Sequence, residues 1–180
     1  MNLSNIPNII SILRMLLVIP VVTLMLEEEF GWALGLFVIA GLSDAIDGFL
    51  AKRFNWISRL GEILDPLADK LLMVSCYLVL WWLGYLATLL VTVVIGRDII
   101  IVLGALVYHY NIKSIKITPT FISKANTVAQ ILLICIVLFS IAVFELPEKG
   151  LNAIFVLVFL TTMASGLDYI FIWTKRSLKK

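Results

Sequence analysis

Residues 44–69 have the sequence DAIDGFLAKRFNWISRLGEILDPLAD, and this stretch decides how the rest of the chain is interpreted. It contains two pairs of aspartates, Asp44 with Asp47 and Asp65 with Asp69, and each pair belongs to an otherwise apolar segment. Carboxylates are costly in hydrocarbon and are normally kept there only when they are paired, metal-bound or functional. The stretch therefore predicts two neighbouring membrane helices whose carboxylates face each other.

The composition of the whole chain indicates a membrane protein. Hydrophobic residues make up 62% of the 180 positions and charged residues 14%, and the mean hydropathy is +1.07. Soluble globular domains lie far from these values. Because about 20 apolar residues cross the hydrocarbon core, we predict an all-α integral membrane protein, a six-transmembrane-helix bundle that forms a single domain over residues 1–180. No nucleic-acid partner is expected.

Polar segments divide the chain into six predicted spans. These are Pro7–Leu26, Gly31–Lys52, Glu62–Tyr85, Leu86–Tyr110, Phe121–Phe144 and Leu151–Trp173. Lysine and arginine in short loops are retained on the cytoplasmic side of a membrane. The basic residues between spans two and three, between spans four and five, and in the last six residues would all lie on one side. Both termini and all four aspartates are therefore predicted to be cytoplasmic.

Small residues accompany the acids along the predicted helices. Gly48 and Ala51 follow the first pair, Gly61 precedes the second pair and Ala68 lies within it. Such small residues leave room for a flat ligand close to the backbone. Hard divalent cations prefer oxygen ligands, and Mg²⁺ is commonly held by carboxylates together with substrate phosphates. The pattern predicts Mg²⁺ or Mn²⁺, and two such ions could clamp a phosphoryl displacement. Solvated helix ends, neutralised by nearby lysines and arginines, are the structural alternative.

Residues 44–69 also resemble a known signature. The pattern D-x2-D-G-x2-A-R-x8-G-x3-D-x3-D is typical of the CDP-alcohol phosphatidyltransferases, and the chain departs from it at Lys52, where the family usually has arginine. Lysine keeps the positive charge but lacks the fork of donors for bidentate phosphate contact. The resemblance implies a homodimeric six-span bundle in which an alcohol attacks the lipid-side phosphate of CDP-diacylglycerol and CMP is released.

The resemblance also implies roles for individual residues. Asp44, Asp47 and Asp65 are expected to be metal ligands, and Asp69 is expected to be the general base that also touches the metal site. The residues expected to border the CDP moiety are Gly48, Ala51, Lys52 and Gly61. The polar stripe of Asn8, Ser11 and Arg14 on the first span resembles the N-terminal pattern of the family and is expected near the substrate phosphates.

Two further basic residues are candidates for binding an anionic acceptor. Arg97 lies within the fourth span, and Lys124 lies at the inner start of the fifth. For Arg97 the alternative is an ion pair with neighbouring Asp98 or another buried acid. For Lys124 the alternative is a side chain that reaches out to lipid headgroups.

The identity of the acceptor alcohol is the least determined part of the function. Residues 119–130 resemble the corresponding segment of cardiolipin synthases of this family, which use phosphatidylglycerol. Residues 5–8 and 96–101 are similar to phosphatidylglycerophosphate synthases, which use glycerol 3-phosphate. We favour the first branch and keep the second as the alternative. The expected setting is a bacterial inner membrane, with membrane lipids around the protein and the active site at the cytoplasmic face.

A divalent-cation transporter is the alternative from another class of protein, since intramembrane carboxylates also mark ion pathways. A transporter should carry acids near the membrane midplane with access from both sides. Here the acidic cluster belongs to one face, and the outer halves of the spans carry almost no ionisable groups. The sequence therefore favours an enzyme.

Overall fold

The structure is a computed structural model, and it describes the backbone of residues 6–54, 61–112 and 120–177. Within these ranges the chain forms helices and no strand. The helices are α1 (Ile6–Leu26), α2 (Phe30–Phe54), α3 (Gly61–Trp82), α4 (Thr88–Ile112), α5 (Phe121–Ala142) and α6 (Glu148–Ser177). Each helix corresponds to one predicted span, so the all-α prediction is confirmed for the described residues.

Three helices in the described part of the chain are long and apolar enough to cross a membrane. They cover Ile9–Leu26, Phe121–Ala142 and Glu148–Tyr169, and a shorter apolar helix covers Phe30–Ile46. Large apolar side chains such as Leu16, Leu89 and Leu160 point away from the protein, as side chains do that meet lipid rather than water. These features are consistent with a multi-pass membrane protein.

The turn between α1 and α2 is tight because α1 ends in a Schellman motif. The Glu29 N–H donates to the Leu24 carbonyl at 2.8 Å, and the Glu28 N–H donates to the Met25 carbonyl at 3.3 Å. This motif needs a residue in the left-handed region, which is usually glycine. Here that residue is Glu28, with a φ of 63°. The acidic segment thus contributes the turn itself.

The turn after α3 is also a Schellman motif, and here glycine occupies the left-handed position. The Tyr85 N–H donates to the Leu80 carbonyl at 2.9 Å, and the Gly84 N–H donates to the Trp81 carbonyl at 3.0 Å. Gly84 has a φ of 84°, a conformation that costs glycine little. The Tyr85 ring then meets the Phe30 ring edge to face, with 5.5 Å between centroids. This contact joins the end of α3 to the start of α2.

The helices form two compact units. The first contains α1, α2, α3 and the end of α5 from Ile134, and in it α1 packs against both α2 and α3. The second contains α4, α5 as far as Leu133, and α6, and in it α4 packs against α6. Each unit has its own cluster of buried polar side chains, described below.

In the first unit, the inward faces of α1 and α2 change from apolar to polar toward one end. On α2 the buried positions recur every three or four residues and lead directly to Asp44; they are Phe30, Ala33, Phe37 and Ala40. On α1 the buried apolar positions Val21 and Met25 share a face with Ser11 and Arg14, because residues three, four and seven apart lie on one side of a helix.

Candidate active site

The packing of α1 against α2 and α3 brings three of the predicted aspartates to two neighbouring polar side chains of α1. Asp44 comes from α2, and Asp65 and Asp69 come from α3. All three contact the first half of α1, where Ser11 and Arg14 lie one turn apart. Three of the four acids predicted from sequence therefore lie beside α1 in the first unit, and α1 supplies the groups that they contact.

Arg14 is the centre of this site. Its Nη1 atom lies 2.6 Å from Asp44 Oδ1 and 2.5 Å from Asp69 Oδ1. Ser11 Oγ donates a hydrogen bond to Asp65 Oδ1. Hydrogen bonds between a guanidinium and a carboxylate are among the stronger ones in proteins because both partners are charged. One arginine from α1 thus bridges carboxylates from two other helices.

Burial differs sharply across the bridge. The Arg14 side chain is fully buried, whereas the side chains of Asp44 and Asp69 retain 42% and 45% of their exposed surface. The arginine therefore closes the inner side of the site, and the acids form its accessible side. A ligand or ion that approaches this part of the protein would meet carboxylate oxygens first.

Some predicted site residues lie outside the described part of the structure. The side chains of Asn8, Asp47, Ala51 and Lys52 are among them, so the predictions for these residues remain predictions. Gly48 is half-buried, and no described atom beyond its chain neighbours and its own turn of helix backbone lies within 4 Å of the place where a Cβ would stand. Gly61 is buried at the first position of α3.

The chemistry of the donor set fits a hard divalent cation. The described groups are carboxylates with no thiol or imidazole beside them, and two of them already direct an oxygen at one positive charge. Mg²⁺ and Mn²⁺ prefer such oxygen donors. Among the described side chains no cluster of three or more acids, histidines or cysteines is arranged around a common point, and Asp47 is not one of those side chains.

The second unit contains a separate cluster around Arg97. Arg97 Nη1 lies 2.7 Å from Asp98 Oδ1, and Nη2 donates to Ser123 Oγ at 2.6 Å and to Ser165 Oγ at 2.7 Å. The guanidinium carbon lies 6.0 Å from the centroid of the Tyr169 ring, within range of a cation–π contact. All five side chains are buried. Arg97 therefore forms the ion pair with Asp98 that the sequence offers as the alternative to acceptor binding.

Lys124, the other predicted acceptor residue, is exposed at the start of α5. The neighbouring face of the same helix is buried and polar. Asn126 Oδ1 accepts hydrogen bonds of 2.9 Å from both Thr161 and Thr162 on α6. The structure thus brings Arg97 and Asn126 into one unit through Ser123 and the threonines of α6, and Lys124 lies outside these hydrogen bonds as far as they are described.

Comparison with known proteins identifies the family of the chain. A model of the CDP-alcohol phosphatidyltransferase family matches residues 4–173. The chain belongs to this family. The match covers α1 to α6 almost completely, including both acidic pairs and the Arg97 cluster.

Two kinds of CDP-alcohol phosphatidyltransferase are similar to this chain over nearly all of its length. The cardiolipin synthase (CMP-forming) of Rattus norvegicus is 34% identical over 93% of this chain and 61% of its own length. The human cardiolipin synthase (CMP-forming) is 33% identical over the same shares. A chloroplastic CDP-diacylglycerol–glycerol-3-phosphate 3-phosphatidyltransferase of Oryza sativa is 34% identical over 92% of this chain and 56% of its own length. The chain spans about three fifths of the length of these relatives.

Several buried polar residues of the second unit are not singled out by the sequence. Ser123 and Asn126 lie within the segment that resembles cardiolipin synthases, but the sequence predicts no contact for them or for the hydroxyls of α6. Their signal is the run Thr161-Thr162-Met163-Ala164-Ser165-Gly166, a polar and small interruption inside an apolar span. In a membrane helix such a run commonly marks the face that packs against another helix.

Proposed function

We propose that this protein transfers the phosphatidyl group of CDP-diacylglycerol to an alcohol and releases CMP. The observation that carries the proposal is the convergence of Asp44 and Asp69 on one cationic nitrogen, in a chain that belongs to the CDP-alcohol phosphatidyltransferase family. Transport of divalent cations, the alternative considered from sequence, gains no support from this family membership.

Asp44, Asp47, Asp65 and Asp69 are the residues proposed to hold Mg²⁺ or Mn²⁺, with two ions as the expected number. When bound, such ions neutralise charge on a pyrophosphate and polarise its P–O bonds. The support for this assignment is that the described donors are all oxygens, and that Asp44 and Asp69 are partly exposed whereas Arg14 is buried.

Asp69 is the proposed general base. The oxygen of the acceptor hydroxyl attacks the lipid-side phosphorus, and the bond from this phosphorus to the bridging oxygen breaks. CMP leaves with that electron pair, and the hydroxyl proton passes to the Asp69 carboxylate. An alcohol is a poor nucleophile at neutral pH, so a carboxylate within hydrogen-bond reach accelerates the attack. The partial exposure of Asp69 allows a substrate hydroxyl to reach it.

Gly48, Ala51, Lys52 and Gly61 are proposed to border the CDP moiety, and Asn8, Ser11 and Arg14 are proposed to lie near the substrate phosphates. The open space at the Cβ position of Gly48 supports the first assignment. The contacts of Ser11 and Arg14 with Asp65 and Asp69 support the second, because they join the start of α1 to the acidic pair on α3.

The acceptor that we favour is phosphatidylglycerol, which makes the product cardiolipin, and glycerol 3-phosphate is the alternative. The names of the similar proteins support both. Arg97 and Lys124 are the proposed acceptor-binding residues. The exposure of Lys124 suits contact with an anionic headgroup, whereas Arg97 has to serve both a buried carboxylate and the acceptor.

The proposed setting is a homodimer in a bacterial inner membrane, with the active site at the cytoplasmic face. Each chain would form one domain with six spans and both termini in the cytoplasm. The positions of the lysines and arginines support this orientation, and the three long apolar helices support a multi-pass arrangement.

The function can be tested with purified protein in detergent or nanodiscs. CDP-diacylglycerol and Mg²⁺ or Mn²⁺ are supplied with phosphatidylglycerol, glycerol 3-phosphate, serine or inositol 1-phosphate in separate reactions, and CMP release and the mass of the lipid product are measured. We expect cardiolipin with phosphatidylglycerol, and no CMP from an Asp44→Asn variant. Turnover with glycerol 3-phosphate as the only productive acceptor would reject phosphatidylglycerol as the acceptor. Absence of CMP release with all four acceptors would reject the proposed phosphatidyltransferase activity.

A further inference from the structure

Arg14 lies between carboxylates that belong to two different helices. The two carboxylate oxygens that share its Nη1 atom come from different helices. Both are held within hydrogen-bond distance of that one atom, so they are also close to each other. Two carboxylates at such a separation repel strongly unless a cation lies between them. Arg14, fully buried behind them, is the cation that the folded chain itself provides.

The same carboxylates are the ones proposed above to bind divalent ions. A guanidinium and a divalent cation carry charge of the same sign and compete for the same oxygens. We propose that Arg14 is the internal counterion of the metal-free site, and that it gives up Asp44 and Asp69 when divalent cations bind. This inference rests on the proposed function of the site as a metal centre.

This role has a consequence that a purely structural arginine would not have. Arg14 stabilises the metal-free protein but opposes metal binding, so its removal should lower stability without metal and tighten metal binding at the same time. A ligand that binds only the folded state stabilises that state according to its affinity. Removal of an arginine that only packs would lower stability equally with and without metal and would leave the affinity for metal unchanged.

The test uses the purified full-length protein and Mn²⁺ alone as the probe. The melting temperature is measured with and without Mn²⁺, and the Kd for Mn²⁺ is measured from the electron paramagnetic resonance signal of the free ion. For Arg14→Gln we expect a lower melting temperature without metal, a Kd lowered roughly tenfold, as is typical of coupling between two binding events, and a larger rise in melting temperature with Mn²⁺. The matched control is Arg97→Gln with Asp98→Asn, which removes another buried arginine and its acid and should leave the Kd unchanged.

The possible results distinguish failure of the counterion role of Arg14 from failure of the proposed metal site. If wild-type protein binds Mn²⁺, Asp44→Asn abolishes binding and Arg14→Gln has an equal or weaker affinity, the counterion role is wrong and the metal site stands. If wild-type protein binds no Mn²⁺, both are wrong. Should Arg14→Gln not fold, Arg14→Lys replaces it. Lysine keeps the charge but lacks the planar fork, so a smaller tightening is expected, and an unchanged or weaker affinity would also reject the role.

Discussion

At the scale of single residues, the site combines one buried positive charge with partly exposed negative charges. Arg14 is buried, and Asp44 and Asp69 lie outside it and remain partly exposed. Breaking a buried ion pair by removing one partner is costly because the remaining charge has no compensation. Substitutions at these positions should therefore change stability, metal affinity and turnover to different degrees, which makes the roles separable by experiment.

The first prediction concerns Asp69. Asp69→Asn keeps the shape of the side chain but removes its ability to accept a proton, so turnover should fall by at least about 10²-fold, the lower range for a general base. Binding of CDP-diacylglycerol should largely persist. Single-turnover release of CMP and equilibrium binding of the CDP-lipid measure the two effects.

The control for this prediction is Asp168→Asn, which changes an aspartate of α6 in the second unit. Its turnover should match that of the wild-type protein. If Asp69→Asn retained wild-type turnover, Asp69 would not be the base.

The second prediction separates the two possible roles of Arg97. Arg97→Gln leaves Asp98 buried without its counterion and should destabilise the protein by about 3–5 kcal/mol. The double variant Arg97→Gln with Asp98→Asn removes both charges and should recover much of that loss. If Arg97 also binds the acceptor, the double variant will fold but will have a raised KM for the acceptor and an unchanged KM for CDP-diacylglycerol.

Steady-state kinetics with each substrate varied in turn, together with thermal unfolding, test this second prediction. Recovery of both stability and the acceptor KM in the double variant would assign Arg97 a structural role only.

At the scale of helices, the sequence predicted the elements well and their contacts less well. Apolar runs and polar punctuation place all six helices, because the lipid core requires long helices with satisfied backbones. The spacing of Asp65 and Asp69 predicted that they would share a site with Asp44. Sequence did not predict that Arg14 would lie between acids of two helices, since that depends on how α1 packs against both.

The third prediction concerns the two turns with left-handed residues. Glu28 adopts a φ of 63°, which costs a residue with a side chain about 1 kcal/mol relative to glycine. Glu28→Gly should therefore raise the free energy of unfolding by about 1 kcal/mol, and Gly84→Ala should lower it by a similar amount. Thermal or denaturant unfolding in detergent measures both.

Glu27→Gly is the matched control for these turn variants, because it makes the same change one residue before the left-handed position. It should give no increase in stability. An equal gain from both glutamate substitutions would show that loss of acidic charge, rather than relief of backbone strain, is responsible.

At the scale of the whole molecule, the charge pattern predicts which loops share a side of the membrane. Lysines and arginines flank the acidic pairs, and glutamates occupy the α1–α2 and α5–α6 turns. The number of spans and their orientation are predicted from hydropathy and from the distribution of charge. This is the part of the architecture that helix packing within each unit cannot supply.

The fourth prediction tests that orientation. Single cysteines are introduced as Glu27→Cys, Glu145→Cys and Arg53→Cys after Cys76 and Cys135 have been replaced by alanine. A membrane-impermeant maleimide applied outside intact spheroplasts should label the first two and should label the third only after lysis. Labelling of all three from outside, or of Arg53→Cys alone, would contradict the predicted topology.

The stripe on α2 that runs from Phe37 through Ala40 to Asp44 also has an evolutionary consequence. Each added residue turns a helix by about 100°, so an insertion between Phe37 and Asp44 would leave the core packed but swing the carboxylate toward lipid. Conservative substitutions along the stripe can be absorbed one at a time, whereas changes of length within it cannot. Insertions and deletions during evolution are therefore expected at the turns of the chain. The number of residues between Phe37 and Asp44 should stay constant.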